Sequence, residues 1–272
     1  MSCKGYPVGR STGYPNKTNE TEKQMPVIGY IDLETTGLDF EKDQITEIGF
    51  VRKDWGSRKP LSMQHRYLFD PEYDVYQEVP EFITELTGIT SELLKKCGNH
   101  PATTLIALSL AMNECDFIMA HNGECFDKPM LIAKMRQYSV EPASTPWLDS
   151  QHDIDWPYSS RRLVHLCTDA GFLNPFPHDA LSDVLSMVKL VEWAEGKHFE
   201  NFDALVEYSR QPWIYLKAHV SYNDRDQAKA LRYQWEKIDT KIFSKTWVKK
   251  VKESRIEKEK EEASFPISII GS

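Results

Sequence analysis

Asp32 and Glu34, in the run IDLETTG at 31–37, are two acids separated by one residue. In an extended strand, side chains two apart share a face, so the two carboxylates stand side by side. Like charges that close repel. Within a stretch rich in Ile and Val, such a pair is costly unless a cation neutralises it, and hard oxygen ligands favour Mg²⁺ or Mn²⁺ over zinc. Taken alone, the pair also reads as the exposed end of a surface strand. Thr35, Thr36 and Gly37 follow as a tight turn whose backbone N–H groups suit a phosphate or a terminal hydroxyl.

Two further runs bring acids and histidines together. In MAHNGECFD at 119–127 an apolar strand ends at His121-Asn122, turns through Gly123 and enters a helix at Phe126-Asp127, with Pro129 in its first turn. By itself Asp127 reads as a helix N-cap and His121 as a structural residue. In HDALSD at 178–183, Asp179 reads as the N-cap of a helix beginning at Ala180. That leaves His178 just outside the helix, on a connection able to move, and Asp183 one turn in. A fourth acidic group, Asp149, Asp153 and Asp155 with His152, lies before Pro157 and reads as a polar loop rather than a metal site.

The elements that must position these residues alternate between strand and helix. Residues 27–33, 45–51 and 67–69 predict adjacent strands, and short helices follow at 80–87 and 91–96. The run at 101–114 has helical apolar spacing, 117–120 is a buried strand, 127–138 a helix, 147–148 a short strand, and 159–170 and 180–195 two helices. This order, β-β-β-α-β-α-β-α-α, predicts an α/β domain with a central mixed sheet flanked by helices. After Arg210-Pro212 the character changes. WIYLKAHVSY predicts a strand, DRDQAKALRYQWEK a helix and KTWVKKV a returning strand, a small β-α-β module in which Trp213, Trp235 and Trp247 read as the core, with stacking of their rings on bases as the alternative. ESRIEKEKEEAS predicts a solvated helix or linker, and FPISIIGS an isolated apolar tail. The expected organisation is a disordered tail at 1–25, a main domain at 26–208, a small basic module at 209–252, and a charged linker with an apolar tail at 253–272.

Charge is unevenly spread over the 272 residues. The net charge is −8, but residues 26–210 carry 16 basic and 30 acidic side chains, whereas residues 211–252 carry 10 and 4. An acidic body facing a basic module suits either a solvated surface or carboxylates gathered around cations. Five scattered cysteines (3, 97, 115, 125 and 167) form no CxxC pair and predict neither a disulfide framework nor a zinc site. No apolar run approaches the about 20 residues of a membrane span, and MSCKGYPVGR has no signal-peptide core, so the expected location is cytoplasmic, with no membrane association. Without a secretion signal, the sequons at Asn16 and Asn19 are read as accidental.

Taken in order, Asp-x-Glu-Thr-Thr-Gly, Ala-His-Asn-x-x-x-Phe-Asp and His-x-Ala-x-x-Asp resemble the DEDDh, DnaQ-like family of 3′–5′ exonucleases, which has the ribonuclease H-like fold. The resemblance covers about residues 26–196 and takes in LTGIT at 86–90. Within the family, YNDRDQAKALRYQW…KTWVKKV is most similar to the small domain of the exodeoxyribonuclease X branch. The resemblance implies that Asp32, Glu34, Asp127 and Asp183 hold two Mg²⁺ ions, for which Mn²⁺ substitutes, and that His178 is the general base. It further implies substrate contacts from Thr35, Thr36, Gly37, Leu38, Ile89 and Asn122. The implied activity is release of nucleoside 5′-monophosphates from single-stranded or frayed DNA 3′ ends, with a protein partner through the C-terminal module or tail. RNA as substrate, or a nuclease fold kept only for binding, are the alternatives; the presence of all four acids and the histidine speaks against the second.

Overall fold

The protein is described from a computed structural model covering residues 25–158, 160–236 and 245–271. The tail expected at 1–25, including Cys3, Asn16 and Asn19, lies outside the described residues except for Met25.

Alternating Ile, Val and Tyr residues build the first sheet from β1 (Val27–Thr35), β2 (Ile45–Asp54), β3 (Ser62–Tyr67), β4 (Phe117–Ala120) and β5 (Trp147–Asp149), in the order β3-β2-β1-β4-β5. β1 runs antiparallel to β2 and parallel to β4, so the sheet is mixed, as the sequence predicts. Helices cover both faces. α2 (Glu81–Thr87), α3 (Ser91–Cys97), α4 (Pro101–Asn113) and α5 (Asp127–Gln137) precede α6 (Leu163–Asp169), α7 (Ala180–Ala194) and α8 (Phe202–Arg210); a short α1 (Asp74–Gln77) comes before them. Ile31 and Leu33 pack with Leu94, Leu105, Met130 and Leu131 on one face. Ile28 and Tyr30 pack with Val184, Met187, Val191 and Leu205 on the other. Each such fully buried aliphatic side chain contributes about 1.5–3 kcal/mol, so β1 is fixed from both sides.

The period of two then decides where the acids go. Asp32 and Glu34 continue the face of Ile28 and Tyr30, the one α7 crosses. The start of α7 lies directly on β2 at Gly49, the residue paired with Asp32: a Cβ there would come within 2.4 Å of the Ala180 carbonyl oxygen. Glycine at this position brings α7 and its acid down to the sheet.

Three elements differ from the sequence reading. α8 was not expected; Asn201 caps it by accepting from the Ala204 N–H at 3.0 Å, and Phe202, Leu205 and Val206 bury its inner face. α6 starts at Leu163, later than the expected 159. β3 occupies 62–67, where register with β2 extends it beyond what its mixed composition suggests.

The C-terminal unit differs more. β6 (Trp213–Ala218), β7 (Gln234–Glu236), β8 (Thr246–Lys252) and β9 (Ile267–Gly271) form an antiparallel sheet in the order β7-β8-β6-β9. The helix expected over 224–237 is only α9 (Arg225–Ala230); Arg232 adopts φ +66°, which ends it and releases Gln234–Glu236 to pair with β8. FPISIIGS is an edge strand rather than an isolated tail, since Ile267 and Ile269 pair with Ala218 and Leu216. The small unit therefore runs past the expected boundary at 252. α10 (Ile256–Glu262) is the predicted charged helix, but its Glu259 is buried and bonded to Lys249 at 2.5 Å. The tryptophans are not the core: that consists of Ile214, Leu216, Ala218, Ala228, Tyr233 and Val251, with Trp247 only packed against it and Trp235 half exposed. Among the described residues no helix is long and apolar enough to cross a membrane, and Cys97, Cys115, Cys125 and Cys167 are free thiols.

Candidate active site

β1, the start of α5 and the first turn of α7 bring the acids of the three runs together. Burial, reinforced by Asp127, Asp183, Glu34 and Glu47, pushes the Asp32 carboxyl well above the usual carboxylate range. Burial, followed by the charges of Asp183, Glu47 and Asp127, pushes Glu34 up to about 9. Asp127 rises to about 7, again chiefly through burial and then through Asp149, while backbone N–H groups partly oppose the rise. Asp183 is raised by burial and held back by the His178 N–H at 3.0 Å and by the Asn174 amide. Among the described residues no Lys or Arg forms an ion pair with any of the four.

Asp127 corrects the capping expectation. The cap position belongs to Phe126 with no side-chain bond, while Asp127 is the first helical residue and 3% exposed, its carboxyl turned into the acidic group. Asp179 does cap α7, accepting from the Ser182 N–H at 2.8 Å. His178, one residue earlier, is exposed and sits at φ +66°, a conformation non-glycine residues adopt only under local constraint. One ligand atom each from Glu34, His178 and Asp183 lie within 4.8 Å of one another. With Asp32 and Asp127 the set is oxygen-rich and, among the described residues, has no Lys or Arg partner, a donor chemistry that fits divalent cations.

The turn after Glu34 is tied from within. The Thr35 hydroxyl donates to the Gly37 carbonyl at 2.6 Å, and the Thr36 hydroxyl bonds Asp43 at 3.2 Å and accepts from the Gln44 N–H at 3.0 Å. A Cβ on Gly37 would meet the Asp43 carboxylate at 2.4 Å, so a larger residue there would displace the carboxylate that bonds Thr36 and the Asp39 N–H. Both hydroxyls are thereby spent on the turn, whereas Leu38 projects with 78% of its surface exposed. Ile89 lies differently from Leu38: it is 2% exposed and packed in the core, and Phe82 and Leu86 are the exposed apolar residues of its segment. Asn122, at φ +66°, has its N–H bonded to Asp149 at 3.0 Å. His121 is structural, bonded to the Ser150 hydroxyl and the Arg161 carbonyl at 2.9 and 2.8 Å, and burial lowers it to about 4.

Glu47 is the residue the sequence reading missed. It is buried on β2 opposite Glu34, accepts from the Ala180 N–H at 3.0 Å and is bonded to His65. It fastens the first turn of α7 to the sheet and adds its charge to Asp32 and Glu34. The signal was present: a lone acid inside the apolar strand ITEIGF.

Residues 30–191 match the sequence profile of the RNase_T family, described as Exonuclease. A DNA polymerase III PolC-type of Mycoplasma genitalium is 28% identical over 190 residues, covering 70% of this chain and 11% of the polymerase. The 3′-5′ exonuclease DinG of Staphylococcus aureus is 26% identical over 237 residues, covering 81% of this chain and 24% of DinG. The chain thus spans a quarter or less of these curated relatives. E. coli exonuclease I, solved in complex with a dA16 oligonucleotide, superposes with a TM-score of 0.60 at 14% identity, over 84% of this chain and 63% of that one, a likeness of fold.

Proposed function

We propose that this chain, which belongs to the RNase_T exonuclease family, is a 3′–5′ exodeoxyribonuclease that uses two divalent cations and releases nucleoside 5′-monophosphates. One observation carries the reading: four buried or half-buried carboxylates converge with no Lys or Arg partner among the described residues, and a histidine stands at their edge. Asp32, Glu34, Asp127 and Asp183 would hold Mg²⁺, or Mn²⁺ in its place. When bound, the ions supply neutralisation of the charge that builds on the phosphate and the leaving oxygen. His178 takes the proton of the attacking water as general base. Its exposed, left-handed position gives it room to swing.

The Thr35–Leu38 turn holds the terminal 3′-hydroxyl through its backbone, and Leu38 wedges against the last base. Asn122 bonds the strand from the other side. Thr35 and Thr36 then act by shaping the turn, and Ile89 by supporting the segment that carries Phe82 and Leu86. DNA is preferred over RNA because PolC-type DNA polymerase is among the relatives. The C-terminal segment keeps the exodeoxyribonuclease X branch in the reading.

The test offers 3′-labelled and 5′-labelled single-stranded DNA, duplex DNA and RNA to the purified protein with Mg²⁺. Expected is a 5′-labelled ladder shortening from the 3′ end and immediate loss of the 3′ label as a mononucleotide. Cleavage of a closed circular single strand, full activity in EDTA, or preference for RNA would overturn it.

A further inference from the structure

The C-terminal sheet has two unlike faces. Ile214, Leu216 and Ala218 of β6 point toward α9 and α10, packing with Ala228 and Ile256. By the period of two, Trp213, Tyr215 and Lys217 lie on the opposite face, where Lys252 and Lys250 of β8 stand across from Trp213 and Tyr215. Lys250 is exposed and lies 5.1 Å from the Trp213 ring and 5.7 Å from that of Tyr215; Lys252 lies 4.5 Å from Trp213. Neither β6 nor β8 contains an acidic residue.

This face leads toward the nuclease body. Trp213 lies 6.3 Å from the His152 ring, His152 bonds Asp149 at 3.2 Å, and Asp149 accepts from the Asn122 N–H. Lys252 is buried at the junction, paired with Asp153 at 3.3 Å and bonded to the Ser209 carbonyl at 2.8 Å, which anchors that end of the sheet. From the Asn122 turn outward, contacts run through the buried Asp149 to His152 and Trp213, and the face continues along Tyr215 with Lys250 and Lys217.

We infer that the Trp213–Tyr215–Lys250 face of the C-terminal sheet is a track for single-stranded DNA, carrying the strand upstream of the 3′ end that enters the carboxylate site. The inference rests on the function proposed above. Aromatic rings accept any base by stacking and lysines follow the phosphates, the combination that binds single strands without reading sequence. The charge fits no acidic strand on the body itself, since residues 26–210 carry 30 acidic side chains against 16 basic. A strand whose end lies in that body gains its electrostatic attraction from the basic module.

The experiment measures anisotropy of labelled oligothymidylates of about 5 and about 30 nucleotides on the full-length protein, with Ca²⁺ replacing Mg²⁺, across salt concentrations. Tyr215→Ala with Lys250→Glu is expected to weaken the long oligonucleotide about 10-fold and to make its salt dependence shallower, by roughly 0.7 in slope per lost phosphate contact. Binding and Mg²⁺-dependent degradation of the short one stay at wild-type levels. Tyr215→Phe, which keeps the ring, binds as wild type, and so does Lys229→Glu, on α9. Equal losses on both lengths, or no loss in a double variant of unchanged melting temperature, overturn the track; an oligouridylate bound more tightly than the oligothymidylate overturns DNA as its occupant. Degradation of the short oligonucleotide by the wild type reports the catalytic reading separately: its failure sinks that reading, while the comparison of lengths still decides the track.

Discussion

Two acidic clusters of this chain look alike in sequence and behave as opposites in the structure. Asp149, Asp153 and Asp155 lie at one end of the sheet, and each has a partner. Burial alone would raise Asp149, but His152 and the N–H groups of Gln151 and Asn122 hold it below the usual carboxylate range. Lys252 pairs with Asp153 and Arg255 with Asp155 at 2.7 Å. Among the described residues Asp32, Glu34, Asp127 and Asp183 have no Lys or Arg partner; burial raises all four, and the charges of the others add to the rise at Asp32 and Glu34. The first cluster is already neutralised by the chain and cements the C-terminal unit to the body. The second is left for ions from outside. What marks a metal-binding group is thus the missing basic partner, not the number of acids.

The contrast breaks hardest at Asp32. Asp32→Asn is expected to lower kcat by about 10⁴-fold, some 5.5 kcal/mol of barrier, while the metal-free protein melts no lower than wild type because a repelling charge has gone. Asp153→Asn should do the reverse, melting lower with kcat on short DNA kept. Activity of Asp32→Asn within about tenfold of wild type would erase the distinction. His178→Ala comes next: a kcat loss of about 10³-fold with binding in Ca²⁺ unchanged is the signature of a lost general base. If binding falls and kcat does not, His178 is a substrate contact.

How far these roles were legible depends on whether they are local. Asp32 beside Glu34 follows from strand alternation, and Asp179 capping α7 with Asp183 one turn in follows from helix geometry. Asp127 taken alone reads as a cap, and only the family resemblance set it with the other acids, because its place depends on β4 lying parallel to β1, a pairing between residues about 90 apart. Glu47 needed the β1–β2 register, which sets it opposite Glu34. The edge strand at 267–271 and the outward Trp213 needed the order of the second sheet. Ile89 was assigned by motif, which says nothing about which side of its segment is covered.

The paired cluster can be opened from the other side. Lys252→Met leaves the buried Asp153 facing an apolar group, and the expected cost is about 3 kcal/mol of stability, the penalty of an uncompensated charge. Adding Asp153→Asn should recover part of it, because the charge goes with its partner. Chemical denaturation of the single and double variants reads this, with kcat on short DNA unchanged. A single variant as stable as wild type would show that the junction is held by packing alone.

The smallest expected effect is the pH dependence of the metal-free protein, and it sets Asp149 apart by sign from the carboxylate site, whereas burial raises Asp153 as it raises the site's acids. Carboxyls in the unfolded chain lose their protons near pH 4, whereas the folded protein holds those of Asp127 to about 7 and of Glu34 to about 9. Between these limits the folded state binds more protons, so its stability is greatest at the acid end and declines as pH rises through 7 toward 9. Asp149, lowered instead, contributes stability that is present above the unfolded value and is lost only as pH falls below it. In EDTA the melting temperature should therefore drop between about pH 5.5 and 9, on the order of 5 °C for a chain of this size. Mg²⁺ should restore more of it at the alkaline end, where the carboxylates are charged and ready to bind. Glu34→Gln should flatten this slope and Asp149→Asn should leave it as it is. A slope that Glu34→Gln does not change would place the titrating groups elsewhere and remove the charge argument for the carboxylate site.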